Sequence, residues 1–373
     1  TKANGTTPVD KADDVTFANL APGNLFDNVY FMAGGQPVSS IVNYAPQAGI
    51  VNYRLSKSGA WLNSIGKDAY GVSSDFKYRQ LKVTSDGSAD AQVMAPPQDA
   101  PNQGDVYFMY QPPIGIMQHD KPMGSGDYRF QFNPNANYKT ACVQSIEGSV
   151  VPGAAGAYIL EVTSMELYIY TQKMDVSPTG IEHLTLRESQ VQSKTINGTG
   201  DQNYDFTIQP STKAISIFIQ SGVAGSNTLV PPTFLGTNIT EDLAQNSLRS
   251  IQITYANMTK PPTRWSSEFN LDPDVLAQNT SKLQQRYFDT QMESGQAFSS
   301  GGAESLQQWL DGGVLLHYSF GRDASDRSTQ VQIQADFSRY EAGSKLFVIS
   351  HFTRTADIQI ESGFVTSVVT RTE

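Results

Sequence analysis

In the stretch Thr329-Gln330-Val331-Gln332-Ile333-Gln334-Ala335-Asp336-Phe337, Val331, Ile333, Ala335 and Phe337 alternate with Gln330, Gln332, Gln334 and Asp336. A helix would turn Val331 and Ile333 to opposite sides, whereas an extended chain puts all four apolar side chains on one face. The stretch therefore reads as a strand of an antiparallel sheet, with one face in a core and the other in water. The same period of two recurs on either side of it. Leu316, Tyr318 and Phe320 precede it, and Leu346 to Phe352 and then Ile358 to Ile360 follow it. Further upstream, Ile251, Ile253 and Tyr255 alternate, as do Ile215, Ile217 and Ile219.

The first half of the chain carries the pattern in Phe26 to Phe31, Val106 to Tyr110, Tyr128 to Phe132 and the long run Tyr158 to Tyr170. In that last run Met165, Leu167 and Ile169 share one face, and Glu166, Tyr168 and Tyr170 the other. Tyr107-Phe108-Met109-Tyr110 places large side chains on both faces, which reads either as core packing alone or as one face covered beyond its own sandwich partner by a sister barrel or another subunit. Helices are few. Val51, Leu55, Ser58, Leu62 and Ile65 form one stripe, begun near Pro46 and ended by Gly66. Asp272-Pro273 opens a second, with Val275, Leu276, Leu283, Tyr287 and Phe288, and Ala303 to Leu310 form a short third, stopped by Gly312-Gly313.

Long polar connections, Thr84 to Gly104, Ser221 to Asn246 and Lys260 to Pro273, suit contacts or crowns on a β scaffold. Residues 1–14 read as a polar arm. Both halves run strand, strand, helix-bearing insertion and closing strands, with a seam between Glu182 and Thr195. The expectation is an all-β chain in three parts: the arm over 1–14, a first sandwich over 15–186 and a second over 187–373.

The 373 residues are ample for two cores. The net charge is −10, only 17% of residues are charged, and no Lys/Arg cluster tracks a phosphate backbone. Direct sequence-specific nucleic-acid binding is not expected. The single Cys142 excludes an internal disulfide and reads as a small buried hydrophobe, and no apolar run is long enough to span a membrane as a helix.

Several stretches, in their order and spacing, resemble the double-jelly-roll major capsid proteins of the adenovirus hexon and tailless-phage lineage. The nearest look is to the hexon-like proteins of polinton-like viruses, adintoviruses and virophages. Asn24-Leu25-Phe26-Asp27-Asn28-Val29-Tyr30-Phe31 leads into a helix-bearing segment from Tyr44 to Tyr70, as that family's first barrel opens. Met165 to Tyr170, running on through Met174 to Pro178, resembles the strand closing that barrel, and Val191 to Ile196 the crossing into the second. Leu248 to Ile253, a Tyr-bearing helix (Leu276 to Met292), Gly312 to Tyr318, Thr329 to Phe337, Leu346 to Phe352 and Ala356 to Ile360 follow in the family's order.

The resemblance implies two tandem eight-stranded jelly rolls with a few short inserted helices. It implies a homotrimer whose six barrels form a pseudo-hexagonal capsomer. Neighbouring capsomers, a penton and minor or cement capsid proteins would be its partners in the icosahedral virion shell of a DNA virus, often over an internal membrane. The protein would be made in the host cell and reside in the virion, and no catalytic residue, cofactor or metal is expected.

The residues themselves offer little chemistry. His119-Asp120 are neighbours that point apart on extended backbone, with no HxH or HExxH beside them. Of the other histidines, His183, His317 and His351, the last two lie in strands and read as surface or satisfied polar groups. Gly124-Ser125-Gly126 is not a nucleophile elbow. Asp86, Asp90, Asp99 and Asp105 lack an EF-hand spacing, and Arg322-Asp323 with Asp326-Arg327 reads as a mixed-charge turn. Five sequons, at Asn4, Asn197, Asn238, Asn257 and Asn279, read as chance in an Asn- and Thr-rich chain. Two other readings stay open: a minor capsid or spike protein, and a secreted two-domain sandwich that binds or hydrolyses carbohydrate. The latter would use the loops Ala95 to Gly104 and Gly222 to Thr240, with Trp61, Trp265 or Trp309 as a sugar-stacking platform. Within the capsid reading, the arm Thr1 to Asp14 and the last strand region Phe364 to Glu373 are the segments expected to reach neighbours.

Overall fold

A computed structural model of the chain describes residues 16–17, 20–72, 107–119, 123–136, 138–144, 162–171, 179–210, 212–220, 247–264, 273–295, 305–306, 309, 314–321 and 329–372. In the first unit β1 (Thr16–Phe17) pairs with β5 (Val143–Gln144), and β2 (Phe26–Ala33) lies between β3 (Gln36–Ile41) and β4 (Tyr128–Pro134). The β2–β3 turn is Gly34-Gly35, both with positive φ, and a Cβ at Gly34 would meet Val365 Cγ1 at 2.8 Å. Glycine is needed there twice over, for the left-handed backbone and for the close approach. The helices of this unit are α1 (Ala45–Ser56) and the short α2 (Gly59–Trp61), α3 (Lys67–Tyr70) and α4 (Tyr138–Ala141).

The second unit is made by β6 (Gly180–Thr195), β7 (Gly200–Thr207), β8 (Ala214–Gln220), β9 (Ser247–Tyr255), β10 (Met258–Lys260), β11 (Leu316–Ser319), β12 (Gln330–Arg339) and β13 (Lys345–Glu361). One sheet has the order β10-β9-β12-β7. In the other, β11 pairs β8, β8 pairs β13, and β13 pairs β6. The chain changes sheet at every connection except β9 to β10, which is the winding of a jelly roll. α5 (Pro273–Glu293) lies in the connection from β10 to β11. The inward alternation read from the sequence fills the core between the sheets. Val331, Ile333, Ala335 and Phe337 meet Ile251, Ile253, Tyr204 and Phe206 from one side and Ile215, Ile217, Leu346 and Val348 from the other.

The sheet containing β8 and β13 is covered on its outer face as well, and β8 is buried at every residue. Phe218 and Phe347 stack at 5.0 Å, Tyr44 meets Phe347 edge-on at 5.0 Å, and Gln47 Nε2 donates to Gln220 Oε1 at 3.0 Å. Thus α1 and the residue before it clothe the back of the second sandwich. The two halves are joined more closely still by β6 and β13, which pair continuously from Lys345↔Thr195 to Ile360↔Gly180. Beyond His351 the place of β8 beside β13 is taken by β14 (Phe364–Thr372). On β13, Leu346 and Val348 face the second core, and Ala356, Ile358 and Ile360, still even-numbered, face the first. A 17-residue strand reaches about 55 Å at about 3.3 Å per residue, long enough to serve both cores in turn.

The stretch from Glu182 to Thr195, read as the seam, is part of strand β6, which runs beside β13 along both units. Several expectations are corrected. Leu346 to Phe352 and Ile358 to Ile360 belong to one strand, because the polar Thr353-Arg354-Thr355 between them sits half-buried where the two cores adjoin. The stripe from Val51 to Ile65 is broken. Lys57 is extended, and the Ser58 hydroxyl caps the next turn by accepting from the Trp61 N–H at 3.2 Å. The inserted helices are not all short, since α5 has 21 residues. Described residues 107–110 and 162–170 are not strands. Of the third helix only a helical turn is described, with the Trp309 N–H donating to Ser305 O at 2.9 Å. The arm, Thr84 to Gly104, Ser221 to Asn246, Asp86, Asp90, Asp99, Asp105, Asp120, Trp265 and Arg322 to Arg327 lie outside the described residues.

Candidate assembly surface and buried polar sites

Two polar clusters lie inside the molecule. In the first, His317 of β11 is paired with Ser216 of β8 and His351 of β13 with Ser189 of β6, while Ser216 and His351 are diagonal neighbours, Ser216 being paired with Ile349 and His351 with Ala214. Ser216 Oγ lies 2.9 Å from His317 Nδ1 and 2.8 Å from His351 Nε2, and His351 Nδ1 lies 3.0 Å from Ser189 Oγ. Burial holds both imidazoles in the neutral form. His317 is pushed down to about 3 by burial, with the His351 and Lys260 charges adding to it, and His351 to about 4 by burial alone. A serine beside a histidine has the outline of a nucleophile and its base. Here Ser216 has no exposed surface, the second ring nitrogen of His351 faces a hydroxyl where a triad has a carboxylate, and the imidazole is a weak base. The cluster is a row of satisfied hydrogen bonds, as expected for strand histidines. Ser216→Ala should cost about 1–3 kcal/mol by leaving two ring nitrogens short of a partner, read as a fall in the urea midpoint at pH 7.

In the second cluster Glu188 of β6 is only 2% exposed. The Ser39 hydroxyl of β3 donates to its Oε1, and the Ile116 N–H donates to Ser39 Oγ at 3.2 Å. The 3₁₀ turn Gly115–Gln118 comes so close that a Cβ on Gly115 would lie 2.7 Å from the Arg187 carbonyl oxygen. Burial raises the Glu188 carboxyl to about 7 against the lowering influences of Ser39, Arg354 and the Ser40 and Gly115 amides. Glu188 therefore fastens the first unit to the shared sheet.

The remaining candidates have structural surroundings. Trp61 is stacked on Tyr53 at 5.5 Å and lies 5.3 Å from Tyr70, and Trp309 is fully buried with its Nε1–H donating to Leu315 O at 2.8 Å. Trp309 thus has no free face for a sugar, and the partly buried Trp61 has Tyr53 stacked on it and Lys57 Nζ 5.1 Å from its ring centroid. Trp309→Ala should cost about 3–5 kcal/mol, measured by denaturant unfolding. The polar depression beside the β6–β7 turn, lined by Lys194, Asn197, Gln202 and Asp205, offers one aromatic, Tyr204, which is only 5% exposed. His183 is exposed and its Nδ1 lies 2.7 Å from Asp357 Oδ1, and His119 is half-buried without a described carboxylate beside it in sequence. Gly124 N–H donates to Glu182 Oε1 at 3.3 Å, so the Gly-Ser-Gly stretch is tied down as a loop. Cys142 is buried, as expected. Among the described residues no three His, Cys, Asp or Glu side chains gather as a metal site, and no helix is long and apolar enough to cross a membrane. Asn197 is exposed in the connection from β6 to β7, and Asn257 is exposed in the β9–β10 hairpin turn.

The surface is richer. Tyr107 and Met109 are exposed, while the expected two-faced strand there is replaced by a loop whose Tyr110 stacks on Phe26 at 5.8 Å. Two-sided burial falls on β8 instead. Val162, Met165, Leu167, Tyr168, Ile169 and Tyr170 are all exposed in one continuous stretch. β14 keeps Val365 and Val368 against the first core and leaves Phe364 and Val369 in solvent. An exposed apolar set of this extent is what a surface awaiting a partner looks like.

No family model and no curated protein matches the chain. Solved structures with a similar course of chain include that of the Sputnik virophage, at 10% identity and a TM-score of 0.43 over 99% of this chain and 78% of that one. The mavirus major capsid protein gives 11% and 0.41 over 98% and 81%. The PBCV-1 virus capsid gives 10% and 0.40 over 94% and 85%.

Proposed function

We propose that the chain is the major capsid protein of an icosahedral DNA virus, a self-assembling structural protein whose role is mechanical rather than catalytic. The observation that carries this reading is the sheet of β11, β8, β13 and β6. It is one wall of a jelly roll and is clothed on its other face by the first unit. Jelly rolls serve capsids and lectins alike, and a fold alone does not choose between them. A lectin needs a free aromatic or polar cradle; Trp309 is fully buried, and the partly buried Trp61 is stacked on Tyr53 with Lys57 Nζ 5.1 Å from its ring centroid. A shell subunit needs two barrels held at a fixed angle with apolar surface left over, which the shared sheet and the exposed 162–170 stretch supply. We read the units as an arm over 1–14 and barrels over 15–186 and 187–373, with the C-terminal end of the second returning to the first core. The assembly is a trimeric, pseudo-hexagonal capsomer that tiles with its neighbours, with a penton and minor or cement proteins as further partners.

Light scattering on the purified protein should give about three times 40.7 kDa, with hexagonal outlines or shells in electron micrographs of the same sample. A monomer at every salt and pH would overturn the reading in favour of a carbohydrate-binding sandwich or a minor virion protein. Deleting Thr1 to Asp14 should lower shell yield and leave the trimer intact, because a polar arm orders only on contact. Shells at wild-type yield from the truncated chain would remove the arm from assembly.

A further inference from the structure

β4 pairs with β2 along one edge, and no strand among the described residues pairs with its other edge. Its core-side aromatics, Tyr128, Phe130 and Phe132, pack on Phe31 and Phe26 yet remain only partly buried, the pattern left where a sheet stops one strand short. An open edge with apolar side chains is a template for a further strand. The chain also carries a strand-patterned segment that pairs with no strand among the described residues. Residues 162–170 are exposed, with Met165 at 66%, Leu167 at 60% and Ile169 at 67%.

We propose that residues 162–170 of one copy add as a strand to the open β4 edge of a second copy, so that assembly proceeds by strand exchange. Three features of the two partners agree. The segment is long enough to cover the seven residues of β4. With Met165, Leu167 and Ile169 set beside Tyr128, Phe130 and Phe132, the apolar face of the sheet continues without interruption. Run parallel, the same setting places the outward Glu166 beside the outward, exposed Arg129, whereas run antiparallel it would place Glu166 beside Gln131 and Tyr168 beside Arg129. Opposite charges directly across a ladder favour that register. The segment stands clear of its own chain, which fits donation, and each copy both gives and receives a strand, which closes a ring.

The inference rests on the self-assembling reading and is tested by mixing two proteins that each gain one cysteine, Arg129→Cys and Glu166→Cys. The native Cys142 is buried and does not compete. Under copper-phenanthroline oxidation the mixture should give a disulfide-linked dimer on a non-reducing gel, at least tenfold more than either protein alone. Ile169→Pro, which removes a ladder N–H, should abolish that dimer, and Ile169→Thr should keep it. Overturning results are no mixed dimer, or an internal disulfide alone in the Arg129→Cys/Glu166→Cys double variant at high dilution. If light scattering still shows an oligomer in that case, strand exchange fails and self-assembly stands. A monomer by scattering removes both.

Discussion

Phe347→Ala is expected to cost about 3–5 kcal/mol, and to loosen both units rather than one. Phe347 is 1% exposed and lies on the outer face of the shared sheet, stacked on Phe218 and met edge-on by Tyr44. Truncation leaves a cavity between the sheet and the residues leading into α1, a place neither rigid wall can collapse into. Two natural reporters separate the halves, since Trp61 packs in the first core and Trp309 in the second. With Trp265 replaced by Phe, single-tryptophan versions carrying Phe347→Ala should show both fluorescence transitions moving to lower denaturant together. A shift confined to the Trp309 signal would mean that the sheet does not couple the cores.

Glu188→Gln should stabilise the protein above pH 7 by about 3 kcal/mol and leave it nearly unchanged at pH 4.5. The sign follows from where the proton is held. The folded chain raises this carboxyl from 4.5 to about 7, so folding takes up a proton between those values. The favourable contribution is complete below pH 4.5 and is lost as pH rises through about 7, where a buried charge has to be carried. Glutamine keeps an oxygen for the Ser39 hydroxyl and never ionises. The two histidines act in the opposite direction. Both are held well below 6.5, so their neutral burial stabilises above that pH and is lost as pH falls toward about 4 and then about 3. Melting temperatures of wild type and Glu188→Gln at pH 5 and pH 8 decide the matter. Equal differences at the two values would show that the carboxylate is not the group being titrated.

The second barrel was legible because its strands are sealed on one face and wet on the other. Val331 to Phe337 and Ile251 to Tyr255 announce themselves by alternation. Sidedness fails as a guide where both faces are covered. In Ala214-Ile215-Ser216-Ile217-Phe218-Ile219-Gln220 the alternating Ser216, Phe218 and Gln220 read as an outward set, yet they face the first unit. Glu188 left a trace, since it continues the inward series Leu184, Leu186. An acid at an inward position is the mark of a buried carboxylate with a partner. Nothing local in Thr353-Arg354-Thr355 distinguishes a polar joint between two cores from the end of a strand. The segment 162–170 shows the converse: its pattern is that of a strand, but a pattern cannot say which sheet, or whose, it joins.

The pairing of β6 with β13 also decides how the molecule carries force. A pull that draws the barrels apart along these strands loads sixteen antiparallel register positions side by side, and all must yield together. A pull across the strands would open the same ladder one position at a time. Tension on one barrel is thus passed to its neighbour through backbone hydrogen bonds in shear, the stiffest direction a sheet has, and the weak directions are left to the contacts between molecules.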